Sequence, residues 1–108
     1  MNATNDGIGI GDDLEITKVT RRATFGGTWV MGRLNGHRFE ALVFPEHAAN
    51  PEYEIEDSRI SKLWLQRLED EATVFNWDRG QDVPVATPEA QRIVEFLCAG
   101  LAEFTFGC

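Results

Sequence analysis

Asn35-Gly36 lies between two runs of β-forming residues, Thr28 to Leu34 and His37 to Phe44, and constrains the fold more than any other stretch. Asn-Gly is the preferred pair for a two-residue type I′ turn, in which both central residues take positive φ. A turn of two residues fixes the pairing. Leu34 faces His37, Arg33 faces Arg38, Gly32 faces Phe39, Met31 faces Glu40, Val30 faces Ala41 and Trp29 faces Leu42. Successive side chains alternate sides of a strand. One side of the hairpin therefore carries Val30, Leu34, Phe39, Ala41 and Val43, and the other Trp29, Met31, Arg33, Arg38, Glu40, Leu42 and Phe44. The second side is apolar at the open end and charged toward the turn. Four large apolar groups together do not suit a solvated surface. A cover is expected there: a helix, the N-terminal strand, a long loop or another molecule.

The neighbouring segments extend this hairpin into a sheet. Leu14 to Thr20 alternates apolar and polar residues, which predicts an edge strand guarded by Lys18. Two prolines and an acidic run make residues 45–58 a loop. Arg59 to Leu68 reads as a strand with Ile60 and Trp64 on one side and Leu63 and Leu65 on an opposite or bulged side. Ala72 to Trp77 follows as the next strand and ends at Asp78-Arg79-Gly80. Short reversals between sequential strands predict an antiparallel meander. A helix is signposted after it by Thr87 as N-cap, Pro88 at the first helical position and Glu89 at the positive end of the dipole. Ala90, Ile93, Val94, Leu97 and Leu101 form its apolar stripe, with Phe104 and Phe106 tucking the tail back onto the core. The expected fold is α+β, a meander of four to five strands packed against one C-terminal helix.

A chain of 108 residues has room for one core. We expect a flexible tail over 1–13 and a single domain over 14–108. No apolar run reaches the ~18–20 residues of a membrane span. The first six residues carry no signal-like stretch, so a cytoplasmic protein is expected. Eighteen acidic against ten basic residues give a net charge of −8. That balance argues against direct binding to nucleic acid, whose phosphates are neutralised by Lys and Arg. Cys98 and Cys108 form neither a disulfide framework nor a metal site with His37 and His47, so no metal and no cofactor are expected.

The candidate chemistry is sparse. Gly7, Gly9 and Gly11 alternate, but no strand precedes them and Asp12 and Asp13 follow, which would repel phosphate. His37 reads as a solvent-exposed residue after the turn, and His47 as a loop residue without a nucleophile or pocket to act on. Arg33, Arg38, Arg59, Lys62 and Arg67 could converge across strands and, with Trp29 and Trp64, make a stacking platform for a nucleotide. The simpler account is pairing with surplus carboxylates. Asp78 and Arg79 sit at a strand end, where turn formation explains them equally well. Glu52, Glu54, Glu56 and Asp57 could form an acidic docking surface, although charge runs are usually solvated loops.

Three blocks carry a resemblance: Trp29 to Ala41, Ser58 to Trp64, and Asn76 to Gly80. The first resembles a W-x-x-G-x-x-N-G-[YH]-x-F-x-A pattern found in short, uncharacterised domains of phages and prophages. The similarity spans roughly residues 27 to 100 and implies no catalytic residues. What it implies is a setting in which a small protein binds and inhibits a bacterial component, such as a defence nuclease.

The leading expectation is thus a non-enzymatic interaction domain, a phage-type inhibitor whose partner is a bacterial protein or complex. Its binding residues would be Trp29, Met31, Arg33, Arg38, Arg59, Lys62, Trp64, Asp78 and Arg79, of which Trp29, Met31, Arg33 and Trp64 have the composition of interface cores. A homodimer would bury the same residues. Two alternatives stand beside it. A small-ligand or nucleotide binder would use the sheet Trp and Arg residues in a concave pocket. An enzyme would need two titratable groups within hydrogen-bond reach in a cleft.

Overall fold

The computed structural model describes residues 13–22, 26–48, 50, 54–55, 58–78 and 80–106. Five strands form an antiparallel meander: β1 (Glu15–Arg21), β2 (Thr28–Leu34), β3 (His37–Val43), β4 (Ile60–Arg67) and β5 (Ala72–Asp78). A three-residue strand, β6 (Gln81–Val83), extends the far edge, and one helix, α1 (Pro88–Phe106), follows. The sheet runs in chain order from β1 to β6. The fold is α+β, as the patterning predicts.

The turn chemistry accounts for the centre of the sheet. Asn35 and Gly36 take φ of 53° and 72°, the positive values a type I′ turn demands. The β2–β3 register is Leu34 with His37, Arg33 with Arg38 and onward to Trp29 with Leu42, matching each expected pair. Two ties fix this turn to the rest of the molecule. The Asn35 side-chain amide donates to Glu89 in the first turn of α1 (3.0 Å), and its backbone N–H donates to the Asp13 carboxylate (3.0 and 3.1 Å). Asp13 is therefore anchored rather than part of a loose tail; the remainder of the 1–13 tail lies outside the described residues.

The helix starts where its caps require. Thr87 Oγ1 accepts the Ala90 N–H at 2.9 Å, and Pro88 occupies the first helical position. Ala90, Ile93, Val94, Leu97 and Leu101 are all buried, with Ala102 beside them. This stripe packs across β2, β3 and β4. It meets Val30, Leu34, Phe39, Ala41, Val43, Ile60, Leu63, Leu65, Val74 and Phe75 from the sheet, and Ile55 from the long loop. The C-terminal tail differs from expectation. The helix continues through Phe106, so Phe104 is left exposed and only Phe106 packs on the core.

Two further side chains are placed differently from the sequence reading. β4 carries a bulge between Ile60 and Lys62, so Ile60 joins Leu63 and Leu65 in the core while Trp64 faces the other way. His37 is 2% exposed, because its partner Leu34 belongs to the core side of the hairpin. Its Nδ1 lies 2.8 Å from the Asn35 carbonyl, and its buried Nε2 has no partner among the described residues.

Candidate functional site

Only one side of the sheet receives the helix. Register defines what lies on the other. One cross-strand row runs Thr20, Trp29, Leu42, Lys62 and Asp78. A second runs Lys18, Met31, Glu40, Trp64 and Asn76, and a third Glu15, Arg33, Arg38, Gln66 and Thr73. Seven of the expected binding residues therefore share this face: Trp29, Met31, Arg33, Arg38, Lys62, Trp64 and Asp78.

Contacts order this face locally. The Arg38 guanidinium lies 5.0 Å from the Trp64 ring centroid, and Trp64 Nε1 donates to Thr73 Oγ1 at 3.1 Å. Arg33 pairs with Glu15 at 2.9 Å, and Lys62 with Asp78 at 3.6 Å. A shallow depression of ≈ 220 Å³ lies among Thr17, Met31, Arg33, Arg38 and Glu40. The apolar end is covered only in part by the chain itself. Leu42 is 2% exposed, and a Cβ on Gly27 would stand 3.0 Å from the Phe44 ring and 3.1 Å from Leu42. The Gly26-Gly27 turn after β1 thus covers Leu42 and Phe44, while Trp29 and Met31 stay half-buried.

The five basic residues converge only in part. Arg33, Arg38 and Lys62 share the open face. Arg67 pairs with Asp70 at 2.8 Å beside its own turn, and Arg59 lies in the long loop at the opposite end. Arg79, Glu52, Glu56 and Asp57 lie outside the described residues.

Glu54 is the clearest departure. The expected acidic docking surface does not include it, because it is 4% exposed and turned inward. Its carboxylate accepts the Ala48 N–H (2.7 Å) and the Arg59 N–H (3.3 Å), and lies 2.8 Å from His47 Nδ1. Burial alone would raise its pKa. The Ala48 N–H, the His47 ring and the Arg59 N–H together outweigh burial and hold the carboxyl below its ordinary value. An ionised Glu54 makes Nδ1 the protonated nitrogen of His47.

This pair borders a pocket of ≈ 410 Å³ lined also by Gly26, Gly27, Phe44, Pro45, Glu46, Ala48, Arg59 and Ser61. The enzyme criterion of two titratable groups in hydrogen-bond contact in a cleft is met by His47 and Glu54. Sequence reasoning missed the pair because they lie seven positions apart in the chain, with no spacing rule to join them. Among the described residues no group of three or more His, Cys, Asp and Glu could hold a metal. No helix among them is long and apolar enough to cross a membrane.

Residues 28–102 match a family described as a domain of unknown function (DUF7678), and the chain belongs to that family. The match takes in the hairpin, the long loop, β4, β5 and most of α1. No curated protein and no solved structure matches the chain.

Proposed function

We propose that this DUF7678 domain is an interaction module that engages a protein partner through the uncovered face of its sheet. The observation that carries the reading is the register. It gathers Trp29, Met31, Arg33, Arg38, Lys62 and Trp64 from three strands onto the side opposite α1. Aromatic, Met and Arg side chains are the ones enriched at the centres of protein interfaces.

Charge narrows the partner. The three rows carry four cations (Lys18, Arg33, Arg38, Lys62) against three carboxylates (Glu15, Glu40, Asp78), in a chain of net charge −8. The acidic excess lies off this face. A complementary surface is apolar at its centre and acidic opposite Arg33 and Arg38. The resemblance to short phage and prophage domains makes a bacterial host protein, such as a defence nuclease in the cytoplasm, the partner to test first. In that setting the domain acts as an inhibitor by occupancy.

The test is retention of a stoichiometric bacterial protein by the tagged domain, compared with Arg33→Glu/Arg38→Glu. Both arginines are exposed, and thermal unfolding checks that the variant keeps its fold. A partner held by the wild type and released by the variant supports the reading. A partner held equally by both places the interface elsewhere. A dimer mass in light scattering that the variant converts to monomer makes a second copy the occupant of this face.

A further inference from the structure

We propose that the pocket between the Gly26-Gly27 turn and the long loop binds a small, mainly apolar monocarboxylic acid. This site is separate from the sheet face and stands or falls without it.

The pocket has the size of a small-molecule site, which typically spans about 300–1,000 Å³. Its wall is mainly apolar: the Phe44 ring, Pro45, Ala48 and the two glycine backbones. Convergent polar groups stand among them. Arg59 takes φ of 66°, a left-handed conformation that side chains avoid, at a cost on the order of 1–2 kcal/mol. Three bonds hold it there: its N–H to Glu54, its carbonyl to the Phe44 N–H, and Nη1 to the Pro45 carbonyl at 2.8 Å. Nε and Nη2 of the guanidinium have no partner among the described residues. Ser61 lines the pocket at the β4 bulge, and its hydroxyl has no partner among the described residues.

The arrangement selects for a single negative charge. A guanidinium with two donor nitrogens to spare is suited to the two oxygens of a carboxylate. The carboxylate of Glu54 is consumed by three donors and is not available to a ligand cation. It still repels excess negative charge, as does Glu46 in the lining. A nucleotide, with several charges on its phosphates, is therefore disfavoured, whereas one carboxylate on an aromatic or aliphatic body meets one guanidinium.

The probe is 2-naphthoate, with the neutral 2-naphthamide as its control, followed by amide NMR shifts. Saturable shifts centred on Ala48, Arg59 and Ser61, with naphthoate at least about tenfold tighter than naphthamide, are expected. Arg59→Gln removes that preference. Because Arg59 also anchors Pro45, Ala48→Trp serves as a second variant that fills the pocket and abolishes both titrations while the Trp64 and Thr73 signals stay in place. Absence of saturable shifts below about 1 mM overturns the proposal. So does equal binding of the two probes, or shifts centred on Met31 and Trp64, which would move the ligand to the sheet face.

Discussion

The Arg38 guanidinium stacks over the indole of Trp64, one strand away, while the Trp64 Nε1–H is held by Thr73 on the next. The contact resolves a conflict built into the register. Arg33 and Arg38 are directly opposed, and like charges in that relation destabilise a sheet. Glu15 takes up one charge and the Trp64 ring the other. A double-mutant cycle of Arg38→Ala and Trp64→Ala should give a coupling of about 0.5–1 kcal/mol in urea unfolding. Zero coupling would mean that the stacked arrangement does not persist in solution.

Acid should loosen the long loop. Glu54 has a folded pKa below its ordinary 4.5, so the unfolded chain binds the proton more readily. Its contribution is complete above pH ~4.5 and is lost as pH falls through the lower folded value. Asp70 behaves in the same direction: the Arg67 guanidinium and the Ala72 N–H hold it down to about 2 from 3.8. Carboxyl NMR should place the Asp70 midpoint near 2 and return it toward 3.8 in Arg67→Gln. Glu54→Ala leaves the Ala48 N–H and His47 without their acceptor and should cost about 1–3 kcal/mol at neutral pH. A stability curve that keeps its acid slope after Glu54→Gln and Asp70→Asn would assign the slope to other groups.

The hairpin was legible because Asn35-Gly36 converts a local turn rule into a full register, and the helix because its cap and stripe are both local signals. A bulge in β4 was open from the pattern but its place at Ser61 was not legible, since an extra residue leaves no mark on composition, and it shifts Ile60 to the opposite side. His37 was misjudged by treating proximity to a turn as exposure, although its pairing with Leu34 already implied the core side. The site divides in the same way. Its sheet-face members follow from alternation, whereas His47, Glu54 and Ser61 meet only through the path of a loop.

Glu71 is a further point where the chain carries strain. Its φ is 59° in the reversal between β4 and β5, where its carbonyl accepts from Gln66 Nε2 at 3.2 Å. The left-handed conformation costs an L-residue about 1–2 kcal/mol, and glycine gives back part of that relief through its looser unfolded chain. Glu71→Gly should therefore raise stability by roughly 0.5–1 kcal/mol, with no change in the sheet-face contacts. A loss of stability would show that the Glu71 side chain contributes more than its backbone strain costs.

Gly32 makes the opposite prediction. Strand propensity alone favours replacing a glycine in mid-strand, since glycine loses about 0.5–1 kcal/mol there relative to alanine. Its surroundings forbid the exchange. A Cβ would stand 2.6 Å from the backbone carbonyl of Glu15 and 2.9 Å from the ring of Phe39, which lies across the glycine from the paired strand. The ring is fully buried and the carbonyl belongs to the edge-strand backbone, so neither can swing aside as a flexible side chain would. The least constrained response is for β1 to pull away from β2. Gly32→Ala should cost about 1–3 kcal/mol in urea unfolding, with faster amide exchange concentrated in Ile16 to Val19. An increase in stability would show that the edge strand shifts freely, and that Gly32 is not what seats β1 against the hairpin.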